Sequence, residues 1–382
     1  MDTAHRIDRD FVVGLLKDMV ATNSVNPTLG RGPGESALSD LIYDGLSSIG
    51  DLEVRRQSVA DGRSNVIAVL RGSGGGRSLM LNGHMDTVGV DGMTIDPFKP
   101  FVENGRLHGR GACDMKGALA AMIGALKALV KSESRLHGDL IFSAVVDEEY
   151  KSVGIKKLVE EYRTDAAVVG EPTEMKVATT HKGFVWIEIE IKGKAAHGSV
   201  PEKGVDAIVH AAKVVSRVEK LQENLGTRVH PLLGAPKIHM STIAGGTDWS
   251  IVPEHCLLRL ERRTLPGESA ASVTDEIEDV LRSIKQQDAN LNATCRSPYD
   301  MPPLETREDE KIVQLLQQTL VAVTGKETSI IGLPYWTDGA LLAQLASIPT
   351  CIFGPGDIGV AHSADEYISV EDVLDSAGIY RS

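Results

Sequence analysis

Thiols and aromatic rings are both scarce in this chain: 382 residues hold four cysteines and 4% Phe, Trp and Tyr. Cys113, Cys256, Cys295 and Cys351 are scattered with no CxxC spacing, which argues against a disulfide framework and a thiolate zinc site and implies reduced, mostly buried thiols. Positive charge is also short. With 40 Lys and Arg against 53 Asp and Glu, the formal net charge is -13, which disfavours nucleic acid and anionic membranes, since both require a positive field. No run approaches the roughly 18 uncharged apolar residues of a membrane helix. The opening Met1-Asp2-Thr3-Ala4-His5-Arg6 mixes charges ahead of a modest helix pattern, so neither a signal peptide nor a basic transit peptide is expected. The expectation is a soluble, cytoplasmic protein. The glycine-rich Gly72-Ser73-Gly74-Gly75-Gly76 lacks the Gly-Lys-Ser/Thr ending of a phosphate loop and reads instead as a flexible hairpin between two strand-like runs.

What is present is an ordinary globular composition, 42% apolar and 24% charged, in a chain too long for one core of usual size. Helical patterns near Phe11 to Ala21 and Ala37 to Ser48 precede strand-like runs at Asn65 to Leu70 and Ser78 to Asn82. The run Leu140 to Val146 is apolar on both faces, as a strand covered on two sides would be, and the acidic Asp147-Glu148-Glu149 stands at its carboxyl end. Open α/β sheets place ligands there. Beyond about Val177 the texture changes to the strict alternation of Trp186 to Lys192, a strand with one wet face. Strands near Lys237 to Ile243 and His255 to Arg262, with helices near Val205 to Glu223 and Ser272 to Gln286, complete a βαββαβ-like unit. The expected fold is therefore a larger α/β domain with a mixed sheet, residues 1–177 and 297–382, carrying an inserted smaller α+β domain, residues 178–296.

Five clusters of metal-binding residue types punctuate the chain: His84-Met85-Asp86, Asp114-Met115-Lys116-Gly117, Asp147-Glu148-Glu149, Gly170-Glu171-Pro172 and Ala361-His362. An isolated acidic pair is usually a solvated face. Imidazole and carboxylate together, however, suit divalent ions, and two ions about 3.5–4 Å apart need a bridging carboxylate.

With their flanking sequence, these clusters resemble the M20 metallopeptidase family, from Leu81-Asn82-Gly83-His84-Met85-Asp86-Thr87-Val88 and Gly109-Arg110-Gly111-Ala112-Cys113-Asp114-Met115-Lys116-Gly117 through to the C-terminal Ala361-His362. The family contains acetylornithine deacetylases, succinyl-diaminopimelate desuccinylases, aminoacylases and glutamate-releasing carboxypeptidases. The resemblance implies one metal on His84, Asp114 and Glu171 and a second on Asp114, Glu149 and His362, with Asp114 as the bridge. Zn²⁺ suits this mixed set, with Co²⁺ or Mn²⁺ as substitutes. It implies that Asp86 accepts the His84 imidazole N–H through its carboxylate. Glu148 falls at the general base, which takes a proton from the metal-held water and passes it to the leaving nitrogen.

The inserted domain resembles the family's lid and dimerisation domain, in the pattern Gly193-Lys194-Ala195-Ala196-His197-Gly198-Ser199-Val200-Pro201. His197 is there the group that bonds the developing oxyanion from the partner of a homodimer. Arg263 matches a lid arginine whose fork suits a substrate α-carboxylate, with a structural salt bridge as the rival role. Ser250 and Thr337 stand at substrate-facing loops, although members commonly carry Asn at the position of Ser250, and Asp338 could serve only to cap a helix. Trp249 and Trp336 could line a side-chain pocket or belong to the core.

The implied activity is a two-metal amidohydrolase acting on a small N-acyl amino acid, in the manner of acetylornithine deacetylase. A dipeptidase, a carboxypeptidase or a succinyl-diaminopimelate desuccinylase needs the same metals. N-carbamoyl hydrolases typically have His where this chain has Glu171, which argues against that branch. A catalytically silent homologue would be expected to have lost the base or a ligand, and none is lost here.

Overall fold

The two-faced apolar run Leu140–Val145 is fully buried inside a mixed sheet in the computed structural model, which describes residues 7–132 and 135–382. The first six residues, on which the reading of the N-terminus partly rests, lie outside the described residues. Two compact units are present. The first takes the chain up to Thr179, with Thr306–Ile331 and Thr337–Ser382, and the second takes Thr180–Glu305 with Gly332–Trp336. The chain is of the mixed α/β class with a smaller α+β unit inserted.

In the first unit the strands run in the order Glu53–Ala60, Arg63–Leu70, Leu140–Val145, Leu79–His84, Ala166–Val169, Thr350–Ile352 and Val177–His181, with the unit ending inside the last of these, at Thr179. Leu79–His84 lies parallel to Leu140–Val145 on one side and to Ala166–Val169 on the other, with His84 level with Val145 and Asn82 level with Val169. Three adjacent strands therefore end at the same edge, the place where such sheets hold ligands. The next strand, Thr350–Ile352, is parallel to Ala166–Val169 as well. Glu53–Ala60 forms an antiparallel hairpin with Arg63–Leu70 through Asp61-Gly62, and Gly62 takes a φ of +67°, where a side chain would be strained.

The expected hairpin at Gly72–Gly76 does not form. Arg63–Leu70 and Leu79–His84 are separated by Leu140–Val145, antiparallel to the first and parallel to the second, so the glycine-rich stretch is a crossing connection. Its glycines allow a close approach to His137 and Gly138, where Ser73, Gly74 and Gly76 donate backbone N–H to the carbonyls of Leu136 and His137.

Helices Arg9–Ala21, Gly117–Val130 and Val370–Arg381 pack on one another. Gly117–Val130 is apolar nearly all round, and eleven of its residues are buried, which makes it a central core helix rather than an amphipathic surface one. Truncating fully buried Leu119 to Ala would cost about 2–5 kcal/mol. Among the described residues no helix is long and apolar enough to cross a membrane.

The second unit is a four-stranded antiparallel sheet in the order Lys237–Gly245, His255–Thr264, Gly183–Lys192, Ala293–Met301, with helices Ala207–Leu225 and Ala270–Gln287 packed on it. Alternation decides the faces: Val185, Ile187, Ile189 and Ile191 are buried, while Trp186 and Lys192 are exposed. Ala293–Met301 runs past the sequence-based limit of 296. It accommodates Pro298, which has no N–H to give, at an irregularity between Arg296 and Tyr299 on the sheet edge. All four cysteines are free.

Candidate metal centre

Each strand of the central trio ends in one of the acidic or imidazole clusters. His84 closes its own strand, Asp147-Glu148-Glu149 follow Leu140–Val145, and Gly170-Glu171 follow Ala166–Val169. Gly354 lets the segment after Thr350–Ile352 lie against this edge, since a Cβ there would fall 2.5 and 2.6 Å from the carbonyl oxygens of Gly170 and Glu171. Asp114 enters from the turn that precedes Gly117–Val130, and His362 from the loop after Thr350–Ile352, with a left-handed φ of +59°.

Among the described residues, two groups have ligand atoms within 4.8 Å of one another: His84, Asp114 and Glu171, and Asp114, Glu149 and His362. The Asp114 carboxylate faces both ways. Its Oδ1 is 2.9 Å from His84 Nε2, and its Oδ2 is 3.2 Å from His362 Nε2, which is also 3.1 Å from Glu149 Oε1. His84 Nδ1 is 2.9 Å from the Asp86 backbone carbonyl and donates its proton there, which turns Nε2 toward the Asp114 oxygen. A nitrogen and a carboxylate oxygen at that distance need a cation between them, a proton or a metal ion. The Glu171 Oε1 atom, buried and without a hydrogen-bond partner, points to the same requirement. The donor set therefore fits a pair of divalent ions, one on each side of Asp114.

The electrostatics agree. Burial pushes the Glu171 and Glu148 carboxyls well above the usual carboxylate range, and neighbouring carboxylates push them further. For Asp114, burial acts upward but the imidazoles of His362 and His84 hold it below that range. For His362, burial acts downward, and Asp114 and Glu149 reverse it to about 11. The cluster holds more negative charge than its own cations balance.

Asp86 does something other than the sequence suggested. Its Oδ1 is 3.6 Å from the imidazole Nδ1, farther than its own carbonyl oxygen. The carboxylate is taken up instead by the backbone N–H groups of Glu148 (3.0 Å) and Glu149 (3.2 Å) and by the Asn26 side-chain amide (2.8 Å). It thus anchors the turn that carries Glu148 and Glu149. Thr337 is buried and accepts the Gly339 N–H at 3.2 Å. Asp338, next to it, makes no side-chain cap; it is buried, and burial pushes its carboxyl up to about 7.

His197, Ser250 and Arg263 belong to the second unit. The first two are close: His197 bridges to Ile251, Gly198 donates to the Ser250 carbonyl at 2.7 Å, and the His197 Nδ1 faces Ser199 Oγ at 2.8 Å. Arg263 donates from Nε to Glu261 at 2.6 Å and lies over the Phe184 ring, its centre 5.5 Å away. Trp249 is fully exposed, and Trp336 donates to the Pro302 carbonyl at 2.9 Å.

Four residues of this architecture escaped the sequence reading. Glu366, fully buried, accepts from Arg110 Nη1 at 2.7 Å and from the backbone N–H of Gly111, Cys113 and Asp114, and so sets the Asp114 turn. Asn26, Glu35 and Arg63 form a network beneath Asp147. Asn26, directly before Pro27, carried a faint signal, since an Asn-Pro pair marks a constrained turn.

Comparison with known proteins follows the same lines. The family model described as Peptidase family M20/M25/M40 matches residues 80–382. An acetylornithine deacetylase of Myxococcus xanthus is 33% identical over 318 residues, covering 81% of this chain and 80% of that protein. One from Proteus mirabilis is 30% identical over 367 residues, covering 94% and 92%. Among solved structures, the aminopeptidase PepT of Bacillus cereus shares the fold, with a TM-score of 0.81 at 22% identity over 98% of this chain and 97% of that one.

Proposed function

We propose, from the premise that this chain belongs to the peptidase family M20/M25/M40 and is a hydrolase of amide bonds, that its substrate is a small N-acyl amino acid of the acetylornithine type. The observation that carries the chemistry is the Asp114 carboxylate held between two imidazole nitrogens, with Glu148 on the adjoining turn. His84, Asp114 and Glu171 would hold one divalent ion and Asp114, Glu149 and His362 the other, with Zn²⁺ the ion best suited and Co²⁺ or Mn²⁺ able to replace it. Such ions supply Lewis acidity toward the scissile carbonyl and lower the pKa of water.

The chain's own groups do the rest. Glu148, held in place through its backbone N–H on Asp86, receives the proton of the attacking water and returns it to the leaving nitrogen. Burial raises the proton affinity of its carboxylate, which makes that carboxylate a stronger acceptor for the water proton than an exposed glutamate. His197 is assigned to the developing oxyanion and Arg263 to the α-carboxylate, the latter supported by a guanidinium already oriented by Glu261 and Phe184. Thr337 and Ser250 are assigned to the substrate loops.

A homodimer through the second unit is part of the same proposal. Its support is the edge strand Lys237–Gly245, which leaves Ile243 58% exposed. Four free thiols support residence in the cytoplasm. The test is a panel of N-acetyl, N-succinyl and N-formyl amino acids beside di- and tripeptides, with metal-loaded protein and amine release as the readout. Fast release from the N-acyl amino acids is expected. No release from any of them, or a large preference for peptides, would overturn the substrate assignment.

A further inference from the structure

The turn that carries Glu148 and Glu149 begins in an unfavourable conformation. Asp147 has a φ of +71°, a left-handed backbone that costs a non-glycine residue of order 1 kcal/mol or more, and such a residue persists only where its surroundings over-determine it. Its carbonyl accepts the N–H of Ser152 at 2.6 Å and of Lys151 at 3.2 Å, and its own N–H goes to Glu35 Oε1 at 3.2 Å. Its carboxylate is shared between the Asn26 amide (3.0 Å) and Arg63 Nη2 (2.9 Å). Arg63 also grips Glu35 with both Nε and Nη2. Glu35 and Asp147 are buried, and Arg63 is the one cation that touches both among the described residues. The Asn26 amide continues the chain of contacts to Asp86, whose carboxylate receives the N–H of Glu148 and of Glu149.

We propose that Arg63 is a positioning residue for the reaction: by tying Glu35 to Asp147 it holds the left-handed turn that aims Glu148 and Glu149. The inference rests on Glu148 being the general base. A guanidinium is the group that fits, because its planar fork meets two carboxylates at once, and an ammonium cannot reproduce that geometry. Without it, two buried carboxylates face each other uncompensated, and the turn has every reason to relax.

The test uses the metal-loaded full-length protein and measures kcat, KM and bound metal for Arg63→Gln, Arg63→Lys and Glu148→Gln. Arg63→Gln is expected to lower kcat about 10- to 100-fold, with metal content retained and KM little changed, while Arg63→Lys recovers only part of the loss. In Arg63→Ala, added methylguanidinium is expected to restore part of kcat, which a purely structural role would not predict. An Arg63→Gln protein with full kcat, beside an inactive Glu148→Gln protein, overturns the role of Arg63 and leaves the base assignment standing. A fully active Glu148→Gln protein overturns the base assignment, and this inference with it. Should Arg63→Gln fail to fold, Asp147→Asn carries the test: it keeps the side-chain shape and loses the charge-assisted contact, so a fall in kcat at constant metal content supports the role and an unchanged kcat overturns it.

Discussion

The two units treat acidic side chains in opposite ways. On the exposed face of the second unit's sheet, acids and bases meet across neighbouring strands, Arg259 with Glu188 at 2.9 Å and Glu190 with His255 at 3.3 Å, where each pair adds at most about 1 kcal/mol. The first unit buries Glu35, Asp86, Asp114, Asp147, Glu171 and Glu366, each 7% exposed or less. Backbone strain divides the same way: among the described residues, every non-glycine residue with a left-handed φ lies in the first unit, Asp147 and His362 included. The lesson is that the second unit is a regular scaffold that keeps its acids at the surface, whereas the first accepts buried carboxylates, and at Asp147 and His362 backbone strain, where groups are held as they would not rest by themselves.

Substitutions that separate chemistry from recognition would break this contrast if it is wrong. Glu148→Gln in the first unit is expected to lower kcat by about 10²- to 10⁴-fold while metal content, measured by atomic emission, stays at the wild-type level. Arg263→Ala in the second unit is expected to act mainly on KM, raising it about 10- to 100-fold for substrates with a free α-carboxylate and far less for their amides, because a charge-assisted contact is worth about 1.5–3 kcal/mol. Equal effects of Arg263→Ala on acids and amides would remove it from that role. Ile243→Glu, on the exposed edge strand, is expected to shift the protein toward monomer in sedimentation velocity, with its melting temperature little altered.

The smallest effect concerns pH. Burial pushes the Asp86 and Asp338 carboxyls up to about 7, from an ordinary value of 3.8 that also holds in the unfolded chain. A raised carboxyl favours folding while both states are protonated. That contribution is lost as pH climbs from the unfolded value through the folded one. Divalent ions offset the negative charge, so the melting-temperature gain from metal should widen between about pH 5 and about pH 7 in calorimetry. A gain that stays flat or shrinks over that range would contradict the charge excess described for the site.

How far the sequence could be read depends on whether a residue announces its role locally. Leu140–Val145 showed its central place because six consecutive buried positions leave a continuous apolar run, and the alternation of Gly183–Lys192 showed its one wet face. The clusters around His84, Asp114, Glu148, Glu171 and His362 stood out by residue type and order. Strand neighbours were not legible, since periodicity gives faces and not partners, and the connection at Gly72–Gly76 therefore read as a hairpin. Arg63 and Glu35 look like members of polar turns. Their importance comes from meeting Asp147 across 84 and 112 residues of chain, which no local pattern records.

Glu366 has a consequence in time. The Asp114 turn rests on a carboxylate made near the end of the chain, and His362 comes from the same late segment. A chain still emerging from the ribosome carries Glu148 and its whole supporting network, yet lacks both His362 and the carboxylate beneath Asp114. The cluster around Asp114 thus closes only once the segment holding His362 and Glu366 has been made.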